Sequence, residues 1–404
     1  MSSNLPANRV LSGMRPTGQL HLGNYHGALR NWVDLQYQYP CFFFVADWHA
    51  LTTGYEDTSR LPEFIHEMVI DWLAAGLNPG VATIFVQSHV PEHAELHLLL
   101  SMITPLSWLE RVPTYKDQQA ELQEKDLATY GFLGYPLLQS ADILLYRPRH
   151  VPVGEDQVAH VEITREIARR FNNLFGREAG FEAKAEKAIG ELGGRHSNLY
   201  RELRRKFQEA GDAAALEQGR AIVQGNTRIT VADRERLLGY LEGSSVSILP
   251  EPQALLTPTP KLPGIDGRKM SKSYGNTIGL REDPDSVAKK LKTMQTDPAR
   301  ARRTDPGDPD KCPVWSLHQV YSDEPTRQWV AAGCRSAGIG CLECKKPLIE
   351  RIVAETATMR QRAAEYESNP EMVRAILTEG SEKAREAARE TLDEVRHAMH
   401  LRGG

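Results

Sequence analysis

Cysteine is scarce in this chain, with five in 404 residues, far too few for a disulfide scaffold. Long apolar runs are scarcer still. The longest, Cys41–Ala46, has six residues, against the roughly 20 that a membrane helix needs, so no membrane partner is expected. The stretch Met1–Pro6 lacks the basic-then-apolar layout of a secretion signal, and a cytoplasmic location follows as an expectation. Neither sign of charge dominates. Lys and Arg number 49 against 53 Asp and Glu, a formal charge of −4, so any surface for nucleic acid must be local. What is present is the composition of a globular chain: 41% hydrophobic and 25% charged, which excludes disorder, collagen and coiled coil. At roughly 100–200 residues per domain the length suits two or three domains.

The first 180 residues alternate strand-like runs with amphipathic helices. Arg9–Ser12 reads as a strand, then a glycine-punctuated turn, then a helix with Leu22, Tyr25, Leu29, Trp32 and Val33 at helical spacing. Cys41–Ala46 and Ala82–Gln87 suit strands buried on both faces, with a helix between them marked by Phe64, Ile65, Met68, Val69, Trp72 and Leu73. That alternation predicts a parallel sheet with right-handed crossovers. Residues 177–246 differ, being rich in Ala, Glu and Arg, with 12 basic and 11 acidic residues and repeated glycine breaks. They read as a helical insertion, on which Arg201, Arg204, Arg205 and Lys206 form either an RNA-facing cluster or a solvated face. From about 286 onward the chain reads as helical.

Four groups of residues carry candidate chemistry. Arg15-Pro16-Thr17-Gly18-Gln19-Leu20-His21-Leu22-Gly23-Asn24 lies between a strand and a helix, where free N–H groups and the helix dipole favour an anion. A phosphate cradle and a capped turn with a buried histidine fit it equally. Lys269-Met270-Ser271-Lys272-Ser273 is a cationic loop suited to a leaving polyphosphate. In Tyr135–Tyr146, Tyr135, Gln139 and Asp142 fall at i, i+4 and i+7, a polar stripe on one helix face that must be hydrogen-bonded, either to backbone or to a polar ligand. Cys312, Cys334, Cys341 and Cys344 are spaced C-x21-C-x6-C-x2-C and could close a four-thiolate site for zinc or an iron–sulphur cluster; Cys41 reads as core packing.

The HLGN stretch followed 248 residues later by KMSKS resembles the paired signatures of a class I aminoacyl-tRNA synthetase, with Asn24 where many members have histidine. Gly154-Glu155-Asp156-Gln157 and Ala46-Asp47-Trp48-His49-Ala50-Leu51-Thr52 resemble the tryptophanyl branch. The resemblance covers all but the insertion. It implies an α/β fold: a Rossmann-type catalytic domain from 1–176 and 247–285, a helical insertion at 177–246, and a helical anticodon-recognition domain at 286–404 with the cysteine site. It implies His21, Asn24, Lys269 and Lys272 as catalytic residues. ATP would meet Arg15, Pro16, Thr17, Gly23, Asn24, Lys116, Gly154, Glu155, Asp156, Leu262, Lys269, Met270, Ser271, Lys272 and Ser273. L-tryptophan would meet Asp142 through its indole N–H, with Tyr135, Gln139, His49 and Gln157 around it.

The same resemblance implies Mg2+ with ATP, tRNA(Trp) as partner, a homodimer, and a 4Fe-4S cluster on the four cysteines, with Zn2+ as the alternative. Arg300, Arg302 and Arg303 are candidates for anticodon-side phosphates, or for solvated loop residues. Three other readings remain open. A tyrosine–tRNA ligase would share the Tyr–Gln–Asp stripe. A tRNA-independent paralogue would keep the tryptophan pocket and lose charging. A nucleotidylyltransferase would share the histidine signature but would have little use for the stripe or the long helical C-terminus.

Overall fold

The structure, a computed structural model, describes residues 7–112, 129–176, 180–243, 247–257 and 260–401. Lys116 lies outside these residues, as does the side chain of Asp156. Five strands form one sheet: β1 (Ala7–Met14), β2 (Cys41–Val45), β3 (Thr83–Val86), β4 (Pro148–Val153) and β5 (Gln253–Leu256). Their order is β3-β2-β1-β4-β5 and every pairing is parallel. Strand order reverses direction between β1 and β4, and such a switch point opens a crevice at the carboxyl ends of the strands. The continuous run CFFFV forms β2, between β3 and β1, and is buried throughout, as an apolar run between two helical layers must be.

The expected helix after β1 is present but is not uniform. Residues Leu22–Asn24 are α-helical, Tyr25–Leu29 form a π-helical turn, and Arg30–Leu35 return to α. Helix α1 (Leu61–Ala75) covers one face of the sheet, and α2 (Glu92–Ser101), α3 (Tyr135–Tyr146) and α4 (Val158–Phe175) cover the other. The insertion supplies α5 (Phe181–Glu191), α6 (Gly194–Ala210), α7 (Ala213–Gly225) and α8 (Val231–Glu242). These four enclose a core of their own, built on Ile189, Tyr200, Val223, Leu237 and Leu241.

After β5 come α9 (Pro284–Thr293), α10 (Pro313–Tyr321), α11 (Glu324–Arg335), α12 (Cys341–Ser368) and α13 (Pro370–Ala398). Unlike the insertion, this helical tail shares its cores with the sheet. Val314, Leu348, Ile352 and Met359 join the cluster under α1, while Ala384, Ala388, Leu392 and Val395 join the one on the opposite face. Gly380 of α13 lies so close to β3 that a Cβ there would overlap the carbonyl oxygen of Ile84, so the last helix caps the edge strand tightly. Among the described residues no helix is long and apolar enough to cross a membrane.

Candidate active site

At the switch point a cavity of about 580 Å³ opens between the ends of β1, β2 and β4, a volume suited to a small ligand. The fold brings Arg15, His49, Tyr135, Gln139, Asp142, Gly154 and Gln157 to its walls, together with Gly27, Ala28 and Asn31 from the helix behind HLGN. Asp142 is fully buried on α3. One carboxylate oxygen accepts from His49 Nε2 at 2.7 Å; the other accepts from His93 Nδ1 at 2.6 Å and Gln87 Nε2 at 2.8 Å. Burial alone would raise this carboxyl, but the bonds from His49 and His93 hold it well below the usual carboxylate range. A carboxylate so held can only accept hydrogen bonds.

The ring of donors was only partly visible in the sequence. His93 and Gln87 follow β3 with no periodic signal, and Tyr146 falls outside the Tyr135, Gln139 and Asp142 spacing. In the structure His93 Nε2 pairs with the Tyr146 hydroxyl at 2.8 Å, and Gln87 Oε1 accepts the Trp48 N–H at 3.2 Å. Gln139 accepts from His160 Nδ1 at 2.6 Å, and the Arg15 guanidinium lies over the Tyr135 ring at 5.9 Å. Burial lowers the Arg15 pKa. Glu155 and Gln157 begin and end a short 3-10 turn ahead of α4, both exposed.

Beside the cavity stands a second constellation. His21 caps the first helical turn: its Nδ1 accepts the Asn24 N–H at 3.3 Å, while Asn24 Oδ1 accepts the His21 N–H at 3.1 Å. This reciprocal cap satisfies two helix-end donors. It also leaves the imidazole Nε2 as the hydrogen-bearing nitrogen, since Nδ1 is an acceptor. Burial, helped by the Lys272 cation, pushes His21 down to about 4. The capped-turn reading of this stretch is what the geometry shows, with the histidine buried.

The KMSKS loop packs against this turn. Met270 is buried, and its Cβ lies 3.5 Å from where a side chain at Gly23 would begin. Lys272 Nζ donates to the Thr17 carbonyl at 2.6 Å and its hydroxyl at 3.2 Å. Burial of that ammonium pushes it down to about 8, against the pull of the Asp71 carboxylate. Asn276, which the sequence reading missed, pins the loop: it accepts from Ser271 N at 2.8 Å and donates to Asp266 at 2.7 Å and Lys269 O at 3.1 Å. Lys269 is exposed, Ser271 and Ser273 share a 2.9 Å hydroxyl contact, and the buried Leu262 carbonyl accepts the Met270 N–H. Asp71 of α1 accepts from Leu20 N at 2.5 Å and from Arg281 Nε at 2.6 Å, tying the HLGN turn to the segment after KMSKS.

The four candidate metal-binding cysteines lie near one another. Cys312 caps α10, Cys334 ends α11, and Cys341 and Cys344 open α12. Burial and the three other thiols push Cys344 up to about 12. Among the described residues, however, no three His, Cys, Asp or Glu side chains converge closely enough to hold a metal ion. The four-thiolate centre expected on these cysteines, 4Fe-4S or Zn2+, is therefore not formed among the described residues. One other expectation also changes. Arg300 is buried, donating to Ile339 O at 2.6 Å and Arg303 O at 3.0 Å, so it is not an open phosphate grip. In the insertion, Arg201 pairs with Glu186 and Lys206 with Glu202 on the exposed surface, and Arg204 stacks on Tyr240.

The sequence profile described as tRNA synthetases class I (W and Y) matches residues 4–188 and 220–356. The gap falls inside the insertion. Tryptophan–tRNA ligase of Ralstonia nicotianae is 65% identical over 393 residues, covering 97% of this chain and 98% of that one. The chain belongs to the bacterial class I tryptophanyl-tRNA synthetases. The Thermotoga maritima tryptophan–tRNA ligase is 45% identical, covering 97% of this chain and 99% of that one. The tryptophanyl-tRNA synthetase of Campylobacter jejuni, solved with ADP and tryptophan, superposes with a TM-score of 0.71 at 29% identity, covering 97% and 99% of the two chains.

Proposed function

We propose that the chain is a tryptophan–tRNA ligase that activates L-tryptophan with ATP and passes it to tRNA(Trp). The observation that carries this reading is Asp142, a buried carboxylate ringed by three donors and lining the switch-point cavity. It is an acceptor held ready for an N–H, as the indole of tryptophan supplies. Tyr135, Gln139, His49 and Gln157 would surround the rest of the amino acid. A carboxylate oxygen of tryptophan attacks the α-phosphorus of ATP; the bond to the bridging oxygen breaks, and pyrophosphate leaves with the electron pair. A terminal ribose hydroxyl of the tRNA then attacks the acyl carbon and AMP departs.

Catalysis here is alignment and charge stabilisation, with no covalent enzyme intermediate. His21 would donate through Nε2 to a phosphoryl oxygen, and Asn24 through its side-chain amide. Lys269 and Lys272 would neutralise the leaving pyrophosphate. Arg15, Pro16, Thr17, Gly23 and Lys116 would flank the triphosphate, with Leu262, Met270, Ser271 and Ser273 shaping the loop over it. Gly154, Glu155 and Asp156 would meet the ribose and adenine. Mg2+ would accompany the phosphates. Labelled tryptophan, ATP and tRNA(Trp) should yield acid-precipitable aminoacyl-tRNA, and tyrosine in its place should yield none. Charging with tyrosine alone would contradict the assignment.

On the four cysteines the proposed group is a 4Fe-4S cluster, with Zn2+ as the alternative. Four thiolates can ligate either a 4Fe-4S cluster or a tetrahedral Zn2+. Arg300, with a nitrogen 3.9 Å from Cys334 Sγ, and Lys345 next to Cys344 place positive charge beside these sulphurs. An anaerobically purified sample should show a broad band near roughly 400 nm, and iron analysis without that band would contradict the cluster. A second copy of the chain is the expected partner, and Leu98 and Met102, exposed one turn apart at the end of α2, offer it an apolar face. Light scattering at the monomer mass would contradict that. A cytoplasmic location agrees with this role, with residues 1–176 and 247–285 as the catalytic unit and the tail as its anticodon-recognition arm.

A further inference from the structure

The π-helical turn directly behind HLGN needs an account of its own, because such turns are uncommon and concentrate at functional sites. His26 is the second residue of that turn and is buried, while its neighbours Gly27 and Ala28 line the cavity. Its Nε2 lies 2.7 Å from the Tyr321 hydroxyl and 3.2 Å from Glu355 Oε2. The Tyr321 hydroxyl donates to the same Glu355 oxygen at 2.6 Å, so its own oxygen is left to accept from His26 Nε2. The rings of His26 and Tyr321 meet edge-on with centroids 4.9 Å apart. Donor and acceptor roles are therefore fixed from one end of the trio to the other.

Tyr321 ends α10 and Glu355 sits midway along α12. These are the two helices whose N-terminal ends carry Cys312, Cys341 and Cys344. His318, one turn before Tyr321, places Nε2 3.4 Å from Cys344 Sγ, and its Nδ1 meets the Ser322 hydroxyl at 2.8 Å. An unbroken line of packed groups thus runs from the cysteine site through α10 to His26, two residues past Asn24.

We propose that His26, Tyr321 and Glu355 are positioning residues for tryptophan activation, fixing the HLGN turn and the cavity wall behind it to the cysteine-bearing helices of the tail. The proposal rests on the synthetase reading above. None of the three lines the cavity. They act by setting where His21 and Asn24 stand, and a displacement of about 1 Å in such groups can cost up to about 100-fold in rate.

The test is ATP–pyrophosphate exchange with tryptophan in Tyr321→Phe, which removes one hydroxyl and keeps the ring packing. The expected result is a kcat lower by about tenfold, a KM for tryptophan within about twofold, and an unchanged melting temperature. His26→Phe should behave the same way, His26→Gln should recover part of the rate through its amide N–H, and the double variant Tyr321→Phe with His26→Phe should lose no more than either single. An unimpaired kcat in Tyr321→Phe and His26→Phe, or losses that multiply and track a fall in melting temperature, would overturn the positioning role and leave a simple structural staple. Absence of exchange in the unmodified enzyme would overturn the synthetase reading itself, which separates the two failures.

Discussion

Lys272 of the KMSKS loop donates its ammonium hydrogens to the carbonyl oxygen of Thr17, 2.6 Å away, and so docks the loop on the turn that leads into HLGN. The two signatures lie 255 residues apart between these positions, yet each supplies the other's packing. The lysine proposed to neutralise pyrophosphate thus already has a partner on the HLGN side.

Removing that ammonium should therefore act on the chemical step. Lys272→Ala is expected to lower kcat for exchange by about 10²–10³, the range for losing one preorganised charge-stabilising donor, with a much smaller rise in KM for ATP. Steady-state exchange kinetics at saturating tryptophan check this, and a loss confined to KM would contradict a transition-state role.

Lys272 is also expected to set the alkaline limb of the pH profile. Its pKa is down at about 8 in the free enzyme, and only the charged form serves, so kcat/KM for ATP should fall as pH rises through 8. Lys272→Arg keeps its charge throughout this range and should flatten the limb even where its overall rate is lower. A limb at the same pH in both proteins would assign the titration to another group.

Asp142→Asn keeps the shape of the side chain but turns one acceptor into a donor facing His49, His93 or Gln87. KM for tryptophan should rise by about 10–100-fold, or about 1.4–2.7 kcal/mol at 1.36 kcal/mol per tenfold. Tyrosine should remain a non-substrate. Calorimetric titration of tryptophan onto the variant checks the binding part directly, and an unchanged affinity would remove Asp142 from the indole site.

Stability should carry a separate signature at the seam between insertion and tail. Glu235 of α8 is buried, with one carboxylate oxygen lacking a partner, near Arg147 and Glu394. Burial, resisted by Arg147 and reinforced by Glu394, lifts it to about 7. The folded state therefore holds a proton that the unfolded chain releases above its ordinary range, and stability falls as pH rises from about 4.5 through 7. With solvent screening allowed for, the effect is about 1 kcal/mol. Glu235→Gln should raise the melting temperature at pH 8 and leave it nearly unchanged at pH 5, as differential scanning calorimetry would record.

What the sequence made legible was local. CFFFV announced a buried central strand because nothing in it could face water, and Tyr135, Gln139 and Asp142 declared a common helix face through their spacing alone. The π-helical turn was hidden, since Leu22, Tyr25, Leu29, Trp32 and Val33 fit an unbroken α-helix equally well. Contacts across hundreds of residues were hidden for a different reason. His26 finds Tyr321 at a separation of 295 and Glu355 at 329, and no periodicity encodes such a meeting. Arg300 illustrates the converse error: a guanidinium in a charged loop reads as solvated, but here the chain folds over it and supplies carbonyl acceptors.

ATP–pyrophosphate exchange with tryptophan and tyrosine compared in parallel, on the unmodified enzyme without tRNA, tests the central claim most directly. The account expects exchange with tryptophan and a rate with tyrosine indistinguishable from that with no amino acid. Exchange supported by tyrosine, or by neither amino acid, would contradict the reading of Asp142 as an indole acceptor and of HLGN with KMSKS as the activation site it serves.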